Sequence, residues 1–444
     1  MADVGGWLRA NASLLRTIDP NDDDFSDLEP LRAIVGDARV VAIGEAGHRV
    51  HEFYQIRHRL TRFLMAELGF TALVMESGFP EGIAVNEWIN GGAGDVEHLL
   101  RHGFTYNMGR CTEVRDQLGW MRNRNATTEQ RIRFYGMDPS DSSASAAPAV
   151  ASVASYLDKV DPPYAANLRE RLLPLFGYLP SDRTGFVWAA AALHAYMAAE
   201  PAVRYEMTAR IGAMAARMHA QRLVYRAQGD PESYELAYRC AIIARQTDAF
   251  LQVFALGEER TPGGVNIRDA AMAESVEWIL EREDRIVVAA ANGHVQRWPF
   301  SAPPIINHEL TTLGEHLAAR LGEELVVIAT GFGGGELFLH QPGPDSPPGH
   351  TNLFRAEMPP LDPDSLDELL ATCGMPRYLL DLRQVPQAGP VADRFRAVTC
   401  AMPGPQATPV NPLAAFDAVV YVDAVTPWHH LLDQDYGPDP RPAT

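Results

Sequence analysis

The sequence predicts an α/β fold: a mostly parallel central sheet flanked by helices, with a large all-helical subdomain inserted into it. Three observations predict it. Short apolar runs alternate with helical patterns over residues 39–138 and resume after residue 284, the mark of βαβ units. The stretch from about 150 to 283 is helical almost throughout, too long for one crossover. Four of the apolar runs end on a polar or ionisable residue.

Residues 39–44 (RVVAIG) read as a short buried strand. Residues 50–68 then follow a helical period, with Phe53, Ile56, Leu60, Phe63, Leu64 and Leu68 on one face. Residues 71–76 (TALVME) form a second strand, a helix follows Pro80, and residues 132–138 (IRFYGMD) form a third strand. A Ser/Ala/Pro stretch from Ser140 leads out of the sheet. The sheet resumes at 285–290 (RIVVAA) and 324–330 (ELVVIAT). The run HQPGPDSPPGH reads as a long surface loop, and residues 378–382, 397–402 and 416–422 offer further strands. The expected parts are an α/β core at 1–140 and 284–435, a helical insert at 141–283 capping the cleft, and a flexible tail at 436–444.

Composition narrows the class. The chain has 444 residues with 46% hydrophobic and 21% charged, ordinary for a globular protein. A formal net charge of −19 repels polyanions, so nucleic acid and acidic membrane are not expected partners. No apolar run approaches the length that spans a bilayer, and no export signal is read at the N-terminus. Lys159 is the single lysine, which argues against Schiff-base chemistry. Cys111, Cys240, Cys373 and Cys400 are far apart and read as reduced thiols of a cytoplasmic protein. The oligomeric state is not legible.

The polar residues cluster by position. Strand one runs into Glu45 and His48, strand two ends at Glu76, strand three at Asp138, and the strand after the insert at Asn292 and His294. In open parallel sheets the carboxyl edge is where ligands bind. Each residue alone has a plainer reading: Glu45 as a first-turn acid, a histidine as a satisfied structural group, Asp138 before Pro139 as an Asx-turn. Their convergence on one edge favours a site. No G-x-S-x-G elbow, H-E-x-x-H or Walker loop is present, and the glycine run Gly331–Gly335 lacks a following Lys-Ser/Thr.

The segment GEAGHRVHEFYQIRHRLTRFLMAELGFTALVMESGFPEG (Gly44–Gly82) resembles the erythromycin esterase family, whose pattern is G-E-A-T-H-G, then E-F, a helix with an Arg and a strand ending in Glu. The matching positions are Glu45, His48, Glu52, Arg57 and Glu76. RDAAMAESVEWIL followed by RIVVAAANGHVQR resembles the second conserved block, which carries His294. The likeness covers almost the whole chain. It implies a macrolide lactone hydrolase or a relative, with His48 as the base that activates water and Glu45, Arg57, Glu76 and His294 in the same pocket. Gly47 stands where Thr is usual, Arg49 where Gly is usual, and Ala291 where His commonly precedes the Asn.

The residues suit that chemistry. An imidazole, titrating ordinarily near ~6.5, can activate water at neutral pH, and a carboxylate can fix its tautomer. Arg57, nine residues past His48, can pair with a carboxylate or polarise a carbonyl. His294 is the candidate for oxyanion stabilisation or leaving-group protonation. Glu52, Asp138, Asn292 and Arg49 are the expected substrate-contacting residues. No cofactor is expected. A divalent ion on His48, Glu52, Glu76 and His294 is the minor alternative, the His48/Glu52 spacing fitting equally a plain salt bridge. In the insert, Trp188, Tyr196, Met197, Met207, Met214 and Met218 fit a core better than a ligand wall, though some are expected at the cleft.

The leading expectation is a hydrolase opening an ester or lactone of a small-molecule natural product. The alternative is a biosynthetic relative using the same acid–base pair for cyclisation, dehydration or isomerisation. A binding protein without turnover is the third reading.

Overall fold

The computed structural model describes residues 4–179, 188–257, 265–303, 306–341, 352–401 and 407–431. The expected tail at 436–444, and all but the first two residues of the Pro/Gly-rich run, lie outside the described residues.

Strands are numbered along the chain. The central sheet holds β1 (Ser13–Leu14), β2 (Val40–Glu45), β3 (Ala72–Gly78), β4 (Arg133–Asp138), β5 (Ile286–Ala291), β8 (Leu325–Phe332), β11 (Arg377–Asp381) and β14 (Ala418–Val422). Between them lie three two-stranded ribbons: β6 (Phe300–Ala302) with β7 (Ile306–Leu310), β9 (Glu336–Gln341) with β10 (Asn352–Glu357), and β12 (Cys400–Ala401) with β13 (Thr408–Pro409). The sheet order is β1-β11-β14-β8-β2-β5-β3-β4. From β14 to β4 every pairing is parallel, whereas β11 runs antiparallel to both β1 and β14. The fold is therefore mixed α/β with a mainly parallel sheet.

The apolar runs are continuous because both faces of the sheet are covered. In β2 every residue is buried. Val41 and Ile43 join a core with Phe53, Leu60 and Phe63 of the helix His51–Glu67, while Val40 and Ala42 join the opposite core with Met272, Val276 and Ile279. That split follows the two-residue period of a strand. Fully burying one such side chain contributes roughly 1.5–3 kcal/mol.

Helices over Ala147–Val160, Pro162–Arg171, Trp188–Ala198, Pro201–Ala220, Arg222–Gln228 and Pro231–Leu256 share a third core. Tyr196, Met207, Met214 and Met218 are buried within it. The next helix, Ile267–Leu280, packs mainly on the sheet against β4.

The run at 397–402 was expected to supply a strand like its neighbours. Within it Cys400–Ala401 pairs instead with Thr408–Pro409, outside the sheet. The edge beside β11 is already taken by β1, from the opposite end of the chain.

Candidate active site

Strand β2 ends at Glu45 and the chain turns sharply through residues 46–49 before the helix His51–Glu67. The turn is pinned from beneath. The Ala46 amide donates to Thr330 Oγ1 at 2.8 Å. A Cβ at Gly44 would sit 2.2 Å from Asn292 Oδ1, so only glycine lets β2 and the end of β5 approach this closely. Arg49 closes the turn at φ +66°, a left-handed conformation that glycine adopts freely and other residues only at a cost. This explains why the family pattern has glycine there.

The turn brings His48 Nδ1 to 2.5 Å from Glu45 Oε1. At this distance Glu45 can accept a hydrogen bond from Nδ1, an arrangement that leaves Nε2 as the nitrogen able to take a proton. Glu45 is buried, and Arg57 Nη1 lies 3.5 Å from its other oxygen. The Arg57 guanidinium stacks 4.0 Å from the centre of the Tyr54 ring. Arg57 thus lies behind Glu45 rather than in the open part of the site.

A second centre forms where β3, β4 and β5 end. The helix Ile267–Leu280 starts here, and its first turn supplies Arg268 and Asp269. Arg268 donates to both Asp138 oxygens, from Nε at 2.9 Å and Nη2 at 2.5 Å. Nη2 also donates to Glu76 Oε1 at 2.8 Å. The Ala291 amide donates to Glu76 Oε2 at 2.8 Å. His294 Nδ1 donates to Asp269, whose two oxygens are each 2.9 Å away. Its Nε2 lies 3.4 Å from Glu76 Oε1 and 3.0 Å from Arg268 Nη1.

The electrostatics follow from this packing. Burial opposes charge on His294, but Asp269 and Glu76 outweigh it and push the imidazole up to about 10. His294 is therefore protonated at neutral pH. The Arg268 contact favours the opposite state, so Nε2 can give up its proton and still meet a donor. Burial likewise opposes charge on Glu76, yet His294, Arg268 and His48 hold it well below the usual carboxylate range. Burial pulls the Arg49 guanidinium down to about 9.

Both centres open onto a cavity of about 1010 Å³. Glu45, His48, Arg49, Arg268, Asp269 and His294 form its polar floor. The apolar wall comes from Phe250, Val253 and Phe254 of the long helix Pro231–Leu256 and from the ribbons, through Phe300, Ile306, Leu337 and Phe354. None of Tyr196, Met197, Met207, Met214 and Met218 lines it. The side chain of Trp188 lies outside the described residues.

Two of the expected substrate contacts, Glu52 and Asp138, do not line the cavity, and a third, Asn292, does. Glu52 faces away: its carboxylate accepts from the Thr426 amide at 2.7 Å and hydroxyl at 2.8 Å. It meets neither His48 nor the cavity, so the four-residue metal set does not assemble. Asp138 is fully buried, with both oxygens held by Arg268. Asn292 reaches the cavity edge, but its amide is spent on the backbone of Thr330, at 2.8 and 3.2 Å. Sequence reasoning missed Arg268 and Asp269, which read as ordinary residues of a helix start. One signal was present: an arginine in a helix's first turn opposes the helix dipole and calls for a specific partner.

Two imidazoles with their carboxylate partners gather at the carboxyl edge of a parallel sheet under an apolar wall, the place where α/β enzymes of this kind bind their ligands. The family model for erythromycin esterase matches residues 65–425. Erythromycin esterase type II of Escherichia coli is 26% identical over 381 residues, covering 82% of this chain and 86% of the relative. Erythromycin esterase type I of Escherichia coli is also 26% identical, over 420 residues, covering 91% and 95%. Among solved structures, a mutant of the erythromycin esterase EreC in its open conformation superposes with a TM-score of 0.77 at 21% identity, covering 94% of this chain and 98% of its own. The chain belongs to the erythromycin esterase family.

Proposed function

We propose that this protein is a hydrolase that opens an ester or lactone of a macrolide-like natural product. Family membership supports a macrolide esterase at the family level. The observation that carries the finer reading is the pair of histidines on one cavity floor with different partners, His48 against Glu45 alone and His294 against Asp269 and Glu76.

In this reading a water molecule binds beside His48. The Nε2 lone pair takes one of its protons as the oxygen attacks the carbonyl carbon. Glu45 stabilises the imidazolium that forms, and Arg57 holds Glu45 in place. Charge collects on the former carbonyl oxygen, and the Arg268 and His294 side supplies the cations that stabilise it. His294 then gives its Nε2 proton to the departing alkoxide. Glu76 and Asp138 neutralise Arg268 from behind, so its position survives without substrate. General acid–base assistance of this kind is worth about 10²–10⁴-fold.

The cavity size and its wall of phenylalanines suit a large apolar ring. Incubation with a macrolide panel and mass spectrometry tests the proposal. A product heavier by one water is expected. No such product from any lactone, with folded protein, overturns it.

A second reading rests on Arg49 and Ala291. A buried cation stands where the family has glycine, and a methyl group stands where it has histidine. Those changes fit the same acid–base pair acting on a biosynthetic intermediate without hydrolysis. A product of unchanged mass, or one lighter by water, would select it.

A further inference from the structure

Away from the cavity, three side chains with metal-binding donors meet at one point. His51 opens the helix His51–Glu67 and Glu113 lies in the first turn of the helix Thr112–Thr127. His429 arrives on the segment 425–431, which crosses both helix starts. Backbone bonds fix the crossing. His51 N donates to Thr426 O at 2.9 Å, Trp428 N to Arg49 O at 2.8 Å, Thr112 N to His429 O at 3.0 Å, and Leu431 N to Arg110 O at 3.0 Å.

The side chains point inward. Glu113 Oε1 lies 2.6 Å from His51 Nδ1 and 2.8 Å from His429 Nδ1. It also accepts the His429 amide at 3.0 Å. The three donor atoms all lie within 4.8 Å of one another. The two imidazoles meet edge to face, with centres 4.7 Å apart. Glu113 is 2% exposed and His429 66% exposed, so the cluster has a closed back and an open front. None of the three lines the cavity.

We propose that His51, Glu113 and His429 form a site for a divalent cation of the zinc class, which pins the 425–431 segment to the starts of the two helices. Two imidazole nitrogens and one carboxylate oxygen are the donors of zinc, cobalt or nickel; calcium and magnesium want oxygen alone. At zinc bond lengths of about 2.0–2.2 Å, tetrahedral ligand atoms stand roughly 3.3–3.5 Å apart. The nitrogen–oxygen separations, 2.6 Å at His51 and 2.8 Å at His429, must therefore open by about 0.8 and about 0.6 Å. The exposed His429 ring can supply its part, and the His51 ring, 25% exposed, must turn to supply the larger one. Three protein ligands leave a fourth position for water on the open side.

The location gives the ion a structural consequence. The segment it pins accepts and donates bonds to the backbone of Arg49 and His51, on either side of Val50 and just after His48. Occupancy would hold the turn that carries the base without touching substrate.

The plainer reading is a carboxylate that anchors two histidines without a metal, and the test separates the two. Chelator-treated protein is titrated with ZnCl₂ by calorimetry and with CoCl₂ by visible absorption, and melting temperature is followed with and without Zn²⁺. The expected result is one ion per chain, visible bands from Co²⁺, and a melting temperature that rises with Zn²⁺. His429→Ala, at an exposed position that does not threaten folding, should weaken binding at least ~10-fold and abolish the thermal shift. Glu113→Gln should do the same, and His48→Asn should bind the ion as wild type does. The proposal is overturned by wild-type protein that binds no stoichiometric ion. It is equally overturned by binding that survives in His429→Ala, or by binding lost in His48→Asn, which would put the ion in the cavity.

Discussion

The two histidines of the cavity floor differ in almost every respect but location. His48 sits on a turn, with a side chain 30% exposed and one carboxylate partner three residues away. His294 sits in a short helical turn after β5, with a side chain 21% exposed and two carboxylates, Asp269 and Glu76, from two other elements. Two carboxylates hold a proton on His294, whereas His48 has one. In the proposed mechanism the same side chain serves as base in one place and as acid in the other through its neighbours alone.

The largest test of this division is His48→Ala. Removing the base should lower kcat by about 10²–10⁴-fold and leave the melting temperature nearly unchanged. A fall of less than tenfold would break the assignment. Arg268→Met attacks the other centre, where Asp138 and Glu76 would lose their buried countercharge. Such breaks cost about 3–5 kcal/mol, so chemical denaturation should show a large drop in stability together with lost activity. Adding Glu76→Gln and Asp138→Asn to that variant should restore part of it.

Glu45→Gln should lower kcat by roughly 10–100-fold while KM changes little, because it loosens the base without removing it. Asp269→Asn sharpens the acid assignment through pH. His294 holds its proton up to about 10, so activity should fall on the alkaline side as pH rises through that value. Without Asp269 the fall should move toward neutral. Stability carries the same sign. The folded value lies above the ordinary ~6.5 of an unfolded histidine. The contribution is therefore complete below ~6.5 and is lost as pH rises through about 10. Urea unfolding at pH 7 and pH 10 should show the loss in wild type and a smaller one in Asp269→Asn. The smallest effect belongs to Glu52→Ala, whose carboxylate binds Thr426. Activity should stay within about twofold, with a stability loss of about 1 kcal/mol.

Much of the frame was legible because it is local. The strands at Val40–Glu45, Ala72–Gly78, Arg133–Asp138, Ile286–Ala291 and Leu325–Phe332 announce themselves as apolar runs, since both faces of the sheet are buried. The helix after His48 carries its period openly. The ribbons β6–β7 and β9–β10 were not read, because they are short and, Leu337 and Phe338 apart, their described side chains are not buried. The insert's Tyr196, Met207, Met214 and Met218, which read as core, do lie in its core, and the apolar wall comes from the ribbons and from the helix Pro231–Leu256.

Sequence alone determined the parallel strands and the carboxyl edge on which the polar residues gather, and it put His48 three residues past Glu45. Those depend on strand periodicity and on spacing along the chain, whereas the contact between the two also needs the turn that Thr330 pins. Tertiary structure decided the rest. Arg268 and Asp269 join His294 because the helix Ile267–Leu280, the last in the stretch read as the insert, packs back against β4. Glu52, one turn past His48, leaves the site because Thr426, far along the chain, captures its carboxylate. The charge state of a buried group is fixed by whichever residues fold around it, and no spacing along the chain encodes that.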